Sequence, residues 1–426
     1  MIMASRYRTR SQCALCRSTN LEVVLELPAT PLANEFIRPE KNHEPQDLFP
    51  LDLVLCMSCG HLQCKTLVDP GRLFRNYVYA TGTSPVTLAH LERQAQFITE
   101  RFDLLHKHNP LVIEIGSNDG TLLEILKRKG ITNVLGVDPA TPLVEAALKK
   151  SIPTLPSFFS SKLAEEILNG FGHADVIIAN NVLAHAENIF DIALGAKHLL
   201  AEGGALIMEV SYLYDMVESP LFDTIYHEHF SYHTVKPLAI LFETIGMNII
   251  RAERIPEQIG RGSLRLCATA SRTSSSRDSS SHVEAMIAAE EAAGLFGTLF
   301  YTRLKKTIDN LGDHLRTLLE EPRSRGKTVI GYGAAAKLTT LMYALGLDER
   351  HVQSIIDDSP YKQGLLTPGL HLPVKPSRIL YDEKPDICVI FAWNFAESII
   401  GKHPLYTGKF VTPLPSITIT PPGNLT

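Results

Sequence analysis

The sequence predicts an α/β protein: two doubly wound, mostly parallel sheets in series, with a small metal-stapled domain ahead of them. Three observations point there. A β-branched apolar run breaks at glycine into a helical pattern twice, in VIEIGSNDGTLLEIL at 112–126 and in KTVIGYGAAAKLTTLMYALGL at 327–347, and each reads as strand, tight loop, helix. Further strand patterns alternate with helical ones around both. Two Cys-x-x-Cys pairs, Cys13/Cys16 and Cys56/Cys59, precede the first. The expected division is 1–75 for the stapled domain, 76–270 for the first α/β domain, 271–282 for a serine-rich linker or loop, and 283–426 for a long helix followed by the second α/β domain.

At 426 residues the chain is long enough for several domains, each with its own core. No apolar run reaches membrane-spanning length, and Arg6, Arg8 and Arg10 are not followed by the apolar stretch of a secretory signal. The expectation is a cytoplasmic protein, a monomer or small homo-oligomer with no membrane partner, whose seven cysteines are reduced or metal-bound. A net charge of −5 argues against a nucleic-acid surface.

Paired thiolates at the inner spacing of Cys13/Cys16 and Cys56/Cys59 are tetrahedral zinc ligands. Four sulfurs close the coordination shell, so no position remains to activate water, and the zinc is structural. His61 and Cys64 lie nearby, but two complete pairs leave them unneeded. A domain this small has too little core to fold reliably without the metal.

The following segment carries Tyr77 and Tyr79, which either line a ligand pocket or pack in a core. A helix with Leu88, Leu91, Ala95 and Ile98 on one face comes next. In the first glycine turn, Gly116 and Gly120 lack a β-carbon and let the backbone approach a ligand, with Asn118 between them and free helix N–H groups behind. Glu114 at the strand end and Asp119 in the turn would repel a pyrophosphate, yet they suit a cationic ligand with an amino-acid head group. The next strand, VLGVDPA, ends in Asp138, where a carboxylate can accept from both hydroxyls of a ribose. The pair resembles the first motifs of class I S-adenosyl-L-methionine (SAM) methyltransferases, with a Rossmann-like core. Phe158 and Phe159 either flank an adenine or pack inside. Asn180 and Asn181 end another strand on the carboxyl edge where ligands sit in open sheets, and Glu209 and Tyr212 end the one after it.

DTIYHEHFSYH, 223–233, then crowds Tyr226, His227, Glu228, His229 and His233 into eleven residues. A metal site is one reading, but the spacing lacks the one-turn separation of a helical His-Glu-x-x-His pair. Structural histidines are another. General acid–base chemistry beside the SAM domain is the reading adopted.

Together the two CxxC pairs, the EIGSNDG turn, the YHEH run and a second glycine-rich segment resemble the zinc-containing C-methyltransferases that act on nucleotide-linked keto-deoxysugars in antibiotic and lipopolysaccharide pathways. The resemblance covers nearly the whole chain. It implies SAM-dependent methylation of a carbon, expected to be carbon 3, in a nucleoside-diphosphate 4-keto-6-deoxysugar, with His229 as base and Tyr226 and Glu228 assisting. Cofactor contacts are expected from Glu114, Gly116, Asn118, Asp119, Gly120, Asp138, Phe159, Asn180 and Asn181. Substrate contacts are expected from Tyr77, Tyr79, Tyr212, Arg265, Lys337 and Asn394. One departure stands out: where the family pattern has His-Gly-Gly-Ser-Leu-Arg, this chain has Gly-Arg-Gly-Ser-Leu-Arg at 260–265.

Beyond the serine-rich stretch, Leu304, Ile308, Leu311, Leu315 and Leu318 form a helical packing stripe expected to stop at Glu321-Pro322. GYGAAAK mimics a dinucleotide loop with Ala336 in the third glycine's place. It reads either as a redox NAD site or, by the resemblance, as a domain for the nucleotide half of the sugar donor with Lys337 at the diphosphate. Later strands end at Asp357-Asp358 and Trp393-Asn394. The alternative among enzymes is a SAM methyltransferase for another small-molecule acceptor, and a rival from another class is an RNA-binding or RNA-modifying protein gripping RNA with its zinc knuckles, disfavoured by the acidic balance and the lack of interleaved arginines and aromatics.

Overall fold

Strand alternation places the chemistry of the first α/β domain. In Val112–Ile115 successive side chains point to opposite faces, so Ile113 and Ile115 enter the core under the helices Ser161–Phe171, Ile189–Leu199 and Val235–Thr244, while Val112 and Glu114 face the helices Pro85–Arg101 and Thr121–Arg128. The computed structural model describes residues 6–75, 81–83, 85–258, 261–270 and 276–422. Tyr77 and Tyr79 lie outside them.

Seven strands form the central sheet, in the order Asn248–Gln258, Arg261–Thr269, Leu200–Ser211, Ala174–Asn180, Val112–Ile115, Val134–Val137, Thr154–Leu155. Arg261–Thr269 is antiparallel to both neighbours and the remaining pairs are parallel. The strand order reverses direction between Val112–Ile115 and Ala174–Asn180. A crevice opens at such a switch point, outside the carboxyl ends of the strands.

The carboxyl-terminal sheet repeats the plan with six strands, in the order Val374–Lys375, Ile355–Ile356, Val329–Tyr332, Ile387–Ile390, Lys409–Thr412, Thr418–Thr420, only the last pair antiparallel. Its switch point lies between Val329–Tyr332 and Ile387–Ile390. The long helix Thr298–Ser324 leads into it, burying Leu304, Ile308, Leu315 and Leu319. Pro322 does not stop this helix, which runs two residues further. Proline there withholds one N–H from the Leu318 carbonyl near the end of the helix, and the N–H groups of Arg325 and Lys327 then close the chain onto the Pro322 carbonyl. The serine-rich segment also departs from expectation, since a helix begins at Ser276 and continues to Ala292.

The amino-terminal sheet is antiparallel: Leu21–Thr30 pairs with Phe49–Cys56, which pairs with Leu62–Cys64. Its fourth strand, Ser231–Tyr232, is supplied by the central domain directly after the YHEH run. Cys13, Leu15, Cys56 and Cys59 pack into the same core as Ile113 and Leu238, whereas Leu25, Leu53 and Leu55 pack with Leu341 and Val389 of the carboxyl-terminal domain. The small domain is thus a wedge between two α/β domains. Among the described residues no helix is long and apolar enough to cross a membrane.

Candidate active site

The zinc ligands come together as their spacing predicts. The Sγ atoms of Cys13, Cys16, Cys56 and Cys59 all lie within 4.8 Å of one another, with Cys13 to Cys59 at 3.7 Å and Cys16 to Cys56 at 3.5 Å. Sulfurs about 2.3 Å from a tetrahedral zinc stand about 3.8 Å apart, so the cage fits the metal. His61 and Cys64 stay out of it: His61 meets the Ser231 hydroxyl at 3.0 Å, and the Cys64 thiol donates to the His229 carbonyl at 3.2 Å.

A cavity of about 670 Å³ opens at the switch point of the central sheet, a volume in the range of ligand pockets. Glu114, Gly116, Asn118, Asp138, Phe158, Phe159, Asn180 and Asn181 line it, as do His90 and His185. Glu114 is 5% exposed and, among the described residues, its Oε2 has no hydrogen-bond partner. Burial, then the nearby Asp138 and Asp119, hold its carboxyl well above the usual range. An unmet buried acid in an acidic cavity fits the cationic amino-acid end of SAM. Asp138 accepts the N–H groups of Asn118 and Ala140, each at 2.8 Å, and burial raises its carboxyl too. Gly116 adopts φ +68°, and a β-carbon there would stand 2.3 Å from Val182 Cγ2.

Three expected cofactor contacts serve the cavity differently. Asp119 turns away from it, accepting Thr121 Oγ1 at 2.7 Å and Lys150 Nζ at 3.0 Å. Gly120, at φ +73°, packs toward Ala147 and Ile152 behind the turn. Asn180 closes a reciprocal amide pair with Gln94, both bonds 2.8 Å, so its side chain braces the helix Pro85–Arg101.

The YHEH run separates into distinct roles. His229 Nδ1 lies 2.7 Å from the Thr224 carbonyl oxygen and must carry a hydrogen there. Nε2 is then the acceptor, and the Tyr226 hydroxyl donates to it at 2.9 Å. Both side chains are half-buried. The His185 ring lies 4.9 Å from that of His229, with its Nδ1 donating to the Glu228 carbonyl at 2.7 Å. One imidazole therefore separates the Tyr226–His229 pair from the cavity. A second pocket of about 30 Å³ is lined by His229 together with Tyr212 and Tyr232.

Glu228 does not orient an imidazole through its carboxylate. It is buried, accepts Asn34 Nδ2 at 2.7 Å, and burial pushes its carboxyl up to about 7. His227 donates from Nε2 to the Pro50 carbonyl at 3.1 Å against Phe49, and His233 packs on His61. Burial pushes both imidazoles down to about 4, which favours their neutral form.

Two expected substrate contacts are engaged within the fold. Arg265 is 7% exposed and spends its guanidinium on Glu209 Oε2, at 3.0 Å from Nε and 2.9 Å from Nη2. Glu209 also accepts from Ser263 at 2.8 Å and from His90 at 2.8 Å. Tyr212, 6% exposed, donates to Glu290 at 2.8 Å. Lys337 and Asn394 are half-buried past the carboxyl ends of the strands that flank the second switch point, where open α/β sheets form a crevice, and lie outside the central cavity. There Asp357 accepts the N–H groups of Ala334 at 2.7 Å and Ser359 at 2.8 Å.

Sequence reading passed over His90, Gln94 and His185. His185 was visible as the last residue of VLAH, but nothing local says that a loop will carry it to His229.

Three family models match consecutive stretches: a zinc binding domain over residues 13–74, a methyltransferase domain over 88–252, and a C-methyltransferase C-terminal domain over 258–415. C-methyltransferase NovU of Streptomyces niveus is 30% identical over 411 residues, 96% of either chain. This chain belongs to the SAM-dependent C-methyltransferase family. Membership accounts for the thiolate cage as a structural zinc site and makes SAM the methyl donor. Among solved structures, magnesium protoporphyrin IX methyltransferase (ChlM) from Synechocystis PCC 6803 is 18% identical with a TM-score of 0.36, covering 48% of this chain and 98% of its own. A SAM-dependent methyltransferase from Clostridium acetobutylicum ATCC 824 is 13% identical with a TM-score of 0.34, covering 42% and 91%.

Proposed function

We propose that this C-methyltransferase methylates the carbon next to the ketone, carbon 3, of a nucleoside-diphosphate 4-keto-6-deoxysugar. The observation that carries the reading is the Tyr226–His229 pair, pinned at Nδ1 and one imidazole from the cavity. A carbon beside a ketone becomes nucleophilic when a base takes its proton, provided a donor stabilises the enolate oxygen. His229 has its one lone pair on Nε2 and serves as the base. Tyr226, already presenting its hydroxyl to that nitrogen, serves as the donor to the oxygen. His185 shields the pair from the cofactor side and holds the Glu228 backbone. Bound SAM supplies a methyl group on a positively charged sulfur. Glu114 and Asp138 hold the donor's charged and ribose ends, with Gly116 and Asn118 as backbone contacts and Phe158 and Phe159 at the adenine. The carboxyl-terminal crevice, with Lys337 and Asn394, takes the nucleotide. The protein works in the cytoplasm, where such sugar nucleotides are made.

The test is incubation with labelled SAM and a panel of nucleotide-linked ketosugars, read by product mass. His229→Ala should abolish both methyl transfer and exchange of the substrate proton with deuterated solvent, while SAM still binds. Tyr226→Phe should slow exchange and turnover together, by about a hundredfold to a thousandfold, while leaving the base in place so that neither is abolished. Exchange that survives in His229→Ala would move the base elsewhere.

A further inference from the structure

The carboxyl-terminal crevice and the Tyr226–His229 pair touch through three consecutive buried residues, Asp223, Thr224 and Ile225. Trp393 opens the turn Trp393–Phe395 just past the strand Ile387–Ile390, and its indole N–H donates to Asp223 Oδ2 at 2.8 Å. Thr340, on the helix Ala336–Ala344 that follows the other strand of the switch point, donates from Oγ1 to the Ile225 carbonyl at 2.5 Å. The elements that follow the two strands of the switch point therefore each grip one end of this tripeptide. The residue between, Thr224, provides the carbonyl that fixes His229 Nδ1 at 2.7 Å and thereby its tautomer.

We propose that Trp393 and Thr340 are positioning residues which couple occupation of the carboxyl-terminal crevice by a nucleoside diphosphate to the alignment of His229. The proposal rests on the reading of that crevice as the nucleotide site. A ligand that shifts the turn at 393 relative to the helix at 336–344 moves Asp223 against Ile225 and rotates the Thr224 carbonyl between them. His229 then loses or gains the bond that aims Nε2. Methyl transfer is thereby favoured when the sugar arrives with its nucleotide seated, and free sugar is disfavoured.

The chain has a single tryptophan, so its fluorescence reads this contact directly. Thymidine, uridine and guanosine diphosphates are titrated into the zinc-loaded full-length enzyme, with binding followed by calorimetry and emission recorded in parallel. The nucleotide that binds should shift the emission saturably, with the same midpoint as the heat. Trp393→Phe and Thr340→Val should each lower kcat for the nucleotide-linked ketosugar by at least about tenfold, with affinities for SAM and nucleoside diphosphate within about twofold of the parent. If nucleotide binds and both variants keep the parental kcat, the coupling is overturned and the nucleotide reading stands. If SAM affinity falls along with kcat, the contacts are merely structural and the coupling is likewise overturned. If none of the diphosphates binds, the nucleotide reading falls and takes the coupling with it.

Discussion

Two neighbours in the YHEH run titrate in opposite senses, which gives a stability prediction with a sign. Burial pushes the His227 imidazole down to about 4, against 6.5 in an exposed chain. As pH falls below about 6.5 the unfolded chain takes up a proton that the folded protein refuses, so folded stability is lost until about pH 4. At 1.36 kcal/mol per unit the full loss is about 3 kcal/mol, of which about 2 kcal/mol falls between pH 7 and pH 5. Glu228 runs the other way. Burial raises its carboxyl up to about 7, against 4.5, with the Asn34 amide opposing the shift. The folded protein then holds a proton that the unfolded chain has released, so stability is lost as pH rises from about 4.5 through 7. Between pH 7 and pH 5 this group returns about 2 kcal/mol, and the two effects nearly cancel in the parent. His227→Gln keeps a donor near the Pro50 carbonyl and removes the titration, so it should lose about 2 kcal/mol less than the parent over that interval. Glu228→Gln should lose about 2 kcal/mol more. Urea unfolding at pH 7 and pH 5 in zinc-supplemented buffer measures both, and contributions shared by parent and variant drop out of the difference. Shifts of the same sign in the two variants, or shifts below about 0.5 kcal/mol in both, would refute the reasoning.

Other predictions concern groups that the fold has committed. Cys16→Ser should bring bound zinc below one per chain by elemental analysis and, because the cage packs into the central core, should lower the melting temperature of the central domain as well. Retention of full zinc would contradict the four-thiolate cage. Gly116→Ala places a β-carbon 2.3 Å from Val182 Cγ2 at φ +68°, so SAM affinity by calorimetry should fall by at least about tenfold with zinc content unchanged. Arg265→Met should destabilise the fold by about 3 to 5 kcal/mol, because Glu209 is left buried with its charge poorly met. A rise only in KM for the sugar, at parental stability, would restore Arg265 to the substrate site.

Local pattern reached the elements whose ligands are close in sequence or fixed by strand geometry. The CxxC spacing named all four thiolates, and the strand alternation at 112–115 together with the glycine at 116 named the cavity wall. What local pattern could not reach was pairing over distance. In the sequence Arg265 is one of two arginines beside a glycine turn, with Arg261, and only the antiparallel register of Leu200–Ser211 with Arg261–Thr269 sets it opposite Glu209. Asp119 reads as a ligand in the sequence, but Lys150, just past the later helix Thr141–Lys149, meets it instead. Glu228 and His229 are adjacent in sequence, yet one faces Asn34 of the amino-terminal domain and the other faces Tyr226. Residue type alone grouped 226–233 together, and three-dimensional packing gave its members different partners.

The borrowed strand Ser231–Tyr232 has a consequence for synthesis on the ribosome. The amino-terminal sheet is translated early, but its edge at Leu62–Cys64 stays open until the residues at 231–232 emerge. At about 5–20 residues per second that wait is on the order of 10–30 s, during which an apolar strand edge is offered to any neighbouring nascent chain. Early zinc capture would order the knuckles without closing that edge, so the yield of native enzyme in the cell should depend on chaperone supply and on elongation rate as well as on metal.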